Sequence, residues 1–458
     1  MRLKRGGKSS GMRRLTGAWL LAAVVSAWLL APQASAHDGF LDEAFGSSGR
    51  VFTPVGFSQP WSQVRVQLAE APDGGIFVAA ETKMARYLPG GQLDPSFGEG
   101  GLVSIALGNG LHFELGDLGV DPEGRPILVG TARGGGESFA TVLRYQRNGG
   151  LDPSFGGGDG IAMMDFGLSS EPGRRAAGAT ATLGAVDEQG RVTLIAGAVR
   201  RVQACGGRPR LAQRDRLIAR LTPEGTPDKT FGDSGVLRLG PLETVESMVL
   251  DGGGAVLAGT PRQSCGSRPD LAVVRVRRNG SVDRRFGERG SRRLAGAAAA
   301  IALDGRGRIV VLCQPQQLSL NKSVTKITRL LPSGNLDPSF GSWTYEFEGP
   351  LSRPDALAVD GRERPLLVGT LTHPLSPRNQ APFHRWFMAM PLKSSGDQEH
   401  SFGWMGWEAI TRFDPHSDLA ASEALVDSEN RLVIAGTGLR PRLSPQPGFA
   451  LARYELRR

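Results

Sequence analysis

The sequence predicts an all-β protein: a closed ring of seven similar sheets, each of four short antiparallel strands. Three observations carry this expectation. A motif of the form Asp-x-x-Phe-Gly recurs along the chain, with its phenylalanines at Phe45, Phe97, Phe155, Phe231, Phe286, Phe340 and Phe402. Their spacings of 52, 58, 76, 55, 54 and 62 residues describe a period near sixty with insertions. Every period also contains a hairpin signal, and no stretch has the 3.6-residue periodicity of an amphipathic helix.

The first element to justify is one that does not belong to the ring. Arg2, Lys4, Arg5, Lys8, Arg13 and Arg14, with no acidic residue among them, precede the apolar run "AWLLAAVVSAWLLA", and Ala34-Ser35-Ala36 follows as a small-x-small cleavage site. Residues 1–36 therefore read as a secretory signal peptide. The run is too short and too rich in small residues for a membrane anchor. The expected localisation is the periplasm or the outside of the cell. Six of the 54 basic residues leave with this segment, so the formal +9 of the whole chain falls to 48 basic against 45 acidic residues. That near-balance removes the electrostatic case for nucleic acid as a partner. No later stretch reads as a membrane span, and residues 37–458 are expected to form one domain and a monomer.

Within the ring each unit reads in one order. The Asp-x-x-Phe-Gly motif is a turn: Asp accepts backbone N–H groups, Pro presets φ, and Gly takes a conformation other residues avoid. Six units keep the aspartate (Asp42, Asp94, Asp152, Asp228, Asp283, Asp337), and the seventh has Glu399. An apolar stretch follows, such as "GVLRL". Next comes a strand, an Asp-x-x-Gly type of turn and a second strand, as in "VDPEGRPILVG" and "VDSENRLVIAG". A closing strand then runs into a glycine turn, as in "ARYLPGG" and "LRYQRNGG", and the last copy is "ARYEL". A lone four-stranded sheet of this size cannot bury both faces, so the units must stack. Tight hairpins make the strands antiparallel, and radial stacking of such sheets is a seven-bladed β-propeller.

On these motifs the chain resembles the delta-60 repeat family of bacterial β-propellers, from residue 39 to residue 456. The resemblance implies the propeller fold. It brings no catalytic motif to carry over.

Asp42, Phe45, Asp94, Phe97, Asp152 and Phe155 are expected to be structural, the phenylalanines filling space between blades. Arg86, Arg144, Arg220, Arg275 and Arg329 each precede the next motif's aspartate by eight residues, across a glycine turn. A structural Arg–Asp pair is expected in most units, with Arg453 reaching back to Asp42 to close the ring. The unit before Glu399 lacks both partners.

Candidate sites are sparser. In an up-and-down sheet the two kinds of repeated turn lie on one face, and the long variable connections lie on the other. Insertions on one face of a repeat protein mark its binding face. Those connections carry Arg201, Arg208, Arg210, Arg268, Arg378, Arg385 and Arg442, which read first as ordinary solvated loop charge and second as a basic rim for an acidic polymer or protein. Cys205 and Cys265 sit in corresponding loops, "ACGGRP" and "SCGSRP", as a possible disulfide, while Cys313 reads as a buried thiol. The short clusters His112, Glu114, Asp117 and Asp414, His416, Asp418 have ligand types for a divalent metal. Accidental loop polarity explains them better, because the spacings are short and common and the two loops belong to units not adjacent around the ring, and no catalytic, cofactor or metal site is assigned. The expected function is a non-catalytic exported binding or scaffold module for a protein or glycan, without a cofactor. The alternative is a metal-assisted hydrolase or lyase with its site at the channel mouth.

Overall fold

The computed structural model describes residues 3–5, 38–108, 110–166, 178–199, 203–205, 208–210, 214–240, 242–261, 270–314, 316–319, 322–348, 352–374, 383–403, 409–414, 417–440 and 444–456. It is an all-β, seven-bladed propeller of four-stranded antiparallel blades, and its one helical feature among these residues is a 3-10 turn at Trp61–Gln63. The first strands of the blades touch one another around the axis. They are Gln67–Glu70, His112–Val120, Thr180–Val186, Ser247–Asp251, Ala298–Leu303, Arg353–Val359 and Asp418–Val426, and they define blades 1 to 7. The outer edge of blade 5 also pairs with Leu3–Arg5, from the segment expected to leave on export.

Repeat and blade are out of phase by one strand. The apolar stretch after each Phe-Gly completes the sheet that its unit follows, so Leu102–Ser104 is the outermost strand of blade 1. The first such stretch, Arg50–Pro54, has no earlier blade and pairs with Ser444–Glu455 as the outermost strand of blade 7. Chain ends thus share one sheet. Even the connecting turn is split: Gly39 N–H donates to the Glu455 carbonyl at 2.8 Å, and Glu455 N–H donates to the Phe40 carbonyl at 2.8 Å. Blade 1 makes the same two bonds in a continuous turn, Gly91 to Leu88 and Leu88 to Gln92, each at 2.8 Å. Gly39 and Gly91 have φ of 82° and 84°, the left-handed region that favours glycine.

Packing explains why the ring must close. The buried apolar side chains fall into seven clusters, and each draws on two neighbouring blades. Phe45 packs with Val433 and Leu451 of blade 7 and with Val66 and Tyr87 of blade 1. Phe97 and Phe155 occupy the same place at the next two seams. The Phe-Gly glycine adds a polar tie, since Gly46, Gly98, Gly156, Gly232 and Gly287 each donate to a carbonyl of the next blade's glycine turn at 2.7–2.9 Å. Gly403 donates to Asp38 at 2.9 Å, and at the remaining seam Trp343 Nε1 reaches the Ser395 carbonyl at 3.2 Å.

Charged pairs sit behind these seams. Arg86, Arg144, Arg220 and Arg329 meet Asp94, Asp152, Asp228 and Asp337 at 2.7–2.8 Å. Arg453 meets Asp42 at 2.7 Å, lies over the Phe45 ring at 4.3 Å and donates to the Pro89 carbonyl of blade 1 at 2.6 Å. The hairpin turns add a second pair, Asp to Arg four residues on, as in Asp121–Arg125 and Asp427–Arg431. Blade 4 departs because Ala255 stands where that second arginine belongs. Arg275 turns to the uncompensated Asp251 at 2.6 Å, and Arg277 takes Asp283 at 2.6 Å. Where Glu399 breaks the pattern, Arg364 holds Asp360 at 2.7 Å and grips Asp38 through two bonds of 2.6 and 3.0 Å. Asp38 is 2 % exposed.

Removing Arg453 takes from the buried Asp42 its hydrogen-bonded partner and leaves only Arg431, at 3.8 Å, where losing one side of a buried pair costs up to roughly 3–5 kcal/mol. We expect Arg453→Ala to lower the thermal midpoint far more than Arg277→Ala, whose half-exposed pair is worth about 1 kcal/mol or less; differential scanning calorimetry compares them. Burial pushes Asp94, Asp152, Asp228 and Asp337 up, but the Ser or Thr two residues on and the paired arginine outweigh it and hold all four low. Their contribution is present above the unfolded carboxylate value of about 4 and lost as pH falls through the lower folded values. Acid titration followed by circular dichroism should therefore show unfolding only below about pH 4.

Candidate functional site: the channel mouth

Five of the seven innermost strands carry a β-bulge at one level. The register shifts fall between Leu115 and Asp117, Ala181 and Leu183, Ala298 and Ala300, Pro354 and Ala356, and Ala421 and Glu423. A bulge re-aims side chains. In three of these blades a glycine of the second strand faces the bulge, where a Cβ on Gly130 would lie 2.2 Å from the Glu114 carbonyl oxygen and one on Gly436 would lie 2.0 Å from that of Ala420. In the other two the same place is taken by Ala196 and Cys313.

At this level the axial channel opens to a cavity of about 700 Å³ lined by Arg65, Asp117, Glu246, Arg353, Asp355 and Glu423, among others. Asp117 accepts backbone N–H groups from Leu118 and Gly184, each at 2.9 Å. Burial pushes its carboxyl up to about 6 against those bonds. Glu423 is pushed up to about 8, by burial first and the Asp117 charge second, with Arg65 opposing. Burial also raises Asp355, while Arg353 at 2.9 Å and then Arg65 pull it back. Glu246 accepts from Thr244 and Thr260, and its Oε2 is buried without a hydrogen bond among the described residues.

Two further cavities meet the channel at Arg65. One of about 640 Å³ runs along blades 1 to 3 between Ser58, Glu81, His112, Arg133 and Thr182. The other, of about 360 Å³, lies toward blades 6 and 7 and includes Arg353 and Arg385. Their walls come from the ends of the inner strands, from residues 58–65 of the connection into blade 1 and from the turn at Glu81 and Thr82. This is the face of the variable loops.

Of the expected basic rim, only Arg385 has a described side chain. It does not stand free: it makes two bonds of 2.9 Å to Asp418 and lies over Trp61 at 4.6 Å. Arg208 and Arg210 lie on a two-stranded hairpin with Gln203–Cys205, where only the backbone is described. Arg201, Arg268, Arg378, Arg442, Cys265 and His416 lie outside the described residues, and so does the side chain of Cys205. Cys313 is a buried free thiol, pushed up to about 11 by burial. The two clusters considered for metal disperse into separate contacts: Glu114 to Arg133 at 2.8 Å, Asp414 to Arg440 at 2.9 Å, and Asp117 to backbone amides. No group of three His, Cys, Asp or Glu at metal-binding distance occurs among the described residues.

Glu423 carries a legible signal that the motifs do not single out, and Asp117, considered above only as a metal ligand, carries the same one. Each stands four residues before its turn aspartate, Asp121 or Asp427, where three other units have Leu183, Ala300 and Ala356. A carboxylate in an apolar repeat position marks an axial residue. Arg65 carries no such mark.

An unfolded glutamate ionises near 4.5 and folded Glu423 near 8, so ionisation favours the unfolded state increasingly across that interval. We expect the thermal midpoint of Glu423→Gln to equal that of the native protein at pH 4 and to exceed it progressively up to pH 8. A pH-independent difference in calorimetry argues against a protonated channel carboxyl.

By sequence, residues 71–97 match a family described as a β-propeller domain of unknown function (DUF5122). No curated protein matches the chain. Solved structures of similar shape include a protein of unknown function from Bacteroides caccae, at 11 % identity and TM-score 0.34, covering 62 % of this chain and 82 % of that one. A calcium-binding regucalcin from Agrobacterium tumefaciens matches at 12 % identity and TM-score 0.35, over 71 % and 88 %. Semaphorin 1a of Drosophila matches at 10 % identity and TM-score 0.40, over 89 % and 88 %.

Proposed function

We propose that this is an exported, non-catalytic binding propeller of the delta-60 repeat kind, which holds a protein or glycan on its variable-loop face. The period near sixty and the repeated Asp-x-x-Phe-Gly turn support the family reading, and the basic, apolar and small-residue order of residues 1–36 supports export. The observation that carries the binding reading is the confluence of three cavities on one face at a single residue, Arg65. Ligand sites are concave and favour places where elements converge, such as the mouths of β-barrels. The opposite face is built from near-identical turns closed on themselves by Arg–Asp pairs, and it offers a ligand little that differs from blade to blade.

A hydrolase or lyase at the channel mouth is the second reading. It is favoured by the carboxyl pair Glu423 and Asp117, which burial pushes up to about 8 and about 6, toward the range that general acid–base chemistry uses.

The test compares faces. Envelope extract of the producing cell is passed over the immobilised protein, over a variant with the mouth blocked (His112→Trp with Thr182→Trp), and over Arg306→Glu on the turn face. Capture lost only in the blocked variant is expected. Equal capture by all three would remove the variable face as the binding surface.

A further inference from the structure

The cavity at Arg65 has a distinctive charge arrangement. The other arginines around it are engaged: Arg133 by Glu114 at 2.8 Å, Arg353 by Asp355 at 2.9 Å, and Arg385 by Asp418 at 2.9 Å. Arg216 donates to the Glu243 carbonyl at 3.3 Å. Arg65 is exposed, and among the described residues it makes no hydrogen bond and no ion pair, yet it lines all three cavities. A guanidinium offers five donors in a planar fork, whose best complement is a carboxylate taken through two parallel bonds.

The nearby acids leave that fork available. Asp355 is paired with Arg353 at 2.9 Å, and Arg65 acts on it only through its charge, without a hydrogen bond or ion pair. Asp117 is one blade further round and turned to the amides of Leu118 and Gly184. Glu246 belongs to blade 4 and accepts from two threonines. Burial and then the Asp117 charge push the Glu423 carboxyl up to about 8, which weakens its claim on the Arg65 charge. Toward the solvent, Glu81 accepts from Ser58 and the Gln59 amide, and His112 stands at the rim.

The walls restrict the ligand further. Ser58, Gln59, Gln63, Gln67 and Thr182 line the cleft beside Arg65 and bring hydroxyl and amide groups to it. Peptide recognition concentrates its energy in aromatic and arginine anchors filling apolar pockets. This cleft has no open apolar pocket of that kind, because Phe113, the aromatic in its wall, is 3 % exposed. A polyhydroxylated ligand suits the lining better.

We infer that Arg65 anchors an acidic-saccharide site, taking the carboxylate of a uronic-acid residue while Gln67, Thr182 and the channel carboxyls meet the hydroxyls of the same or the next sugar. This deepens the binding reading and rests on it. Binding is non-covalent, and the anion arrives from the variable face.

The experiment uses the mature chain in low-salt buffer, with a galacturonic acid trisaccharide and its methyl ester as probes, read by isothermal titration calorimetry. We expect the acid to bind at least tenfold more tightly than the ester. Arg65→Ala should weaken acid binding at least tenfold with the thermal midpoint unchanged, and Arg65→Lys should restore part of it. Equal affinity for acid and ester overturns the inference, as does an unchanged Arg65→Ala. Tighter binding of a tripeptide with a free carboxyl terminus than of the trisaccharide also overturns it. No uronate binding together with capture that depends on the variable face would defeat the saccharide assignment and spare the binding reading. Loss of both would defeat both.

Discussion

The apolar faces of each blade are buried only against the faces of its two neighbours, and this dependence organises the rest of the molecule. All seven clusters of buried side chains straddle a seam. At about 25 cal/mol per Å² of apolar surface, an opened seam costs both of the blades that form it. A closed circle is the arrangement that leaves no seam wet. The split turn follows from the same requirement: residues 38–54 complete blade 7, and the bonds of Gly39 with Glu455 reproduce those of an unbroken repeat.

The arginine–aspartate pairs are subordinate to that packing. Each guanidinium lies behind a seam, and several also stack on the phenylalanine that fills it, as Arg144 does on Phe155 at 4.6 Å. Their departures follow charge compensation. Where Ala255 removes one cation, Arg275 and Arg277 share the work differently. Where Glu399 breaks the pattern, Asp38 enters and Arg364 binds it. A buried ion that has lost its partner is costly enough that substitutions propagate to the next available charge.

The candidate site has a different origin. It arises where the ring is least able to pack: along the axis, inner strands converge without filling the middle, and their bulges turn alternate residues toward the space that remains. Charge placed there loses water without gaining full protein contact. That is why Glu423 and Asp117 bind protons more tightly than surface carboxylates do. Arg65 stands at the entrance to this region, where solvent still reaches it.

Much of the architecture was legible because repetition is a strong signal. Asp-x-x-Phe-Gly, the hairpin turns and the closing strands are short-range features whose chemistry is local. The phase of the blades was not legible, because a strand's partner is chosen by the geometry of the ring and not by its neighbours in sequence. Arg385 shows the same limit: as sequence it belongs to a basic loop, and in space it is neutralised by Asp418, 33 residues away.

By itself, the sequence determined the number of blades, the strand content of each and the turn chemistry, since all of these depend on residues within a few positions of one another. Only the tertiary structure decided which residues face the axis, which arginines keep a free charge, and where three cavities join. Those properties depend on bulges and on distances between blades, and a linear pattern does not contain them.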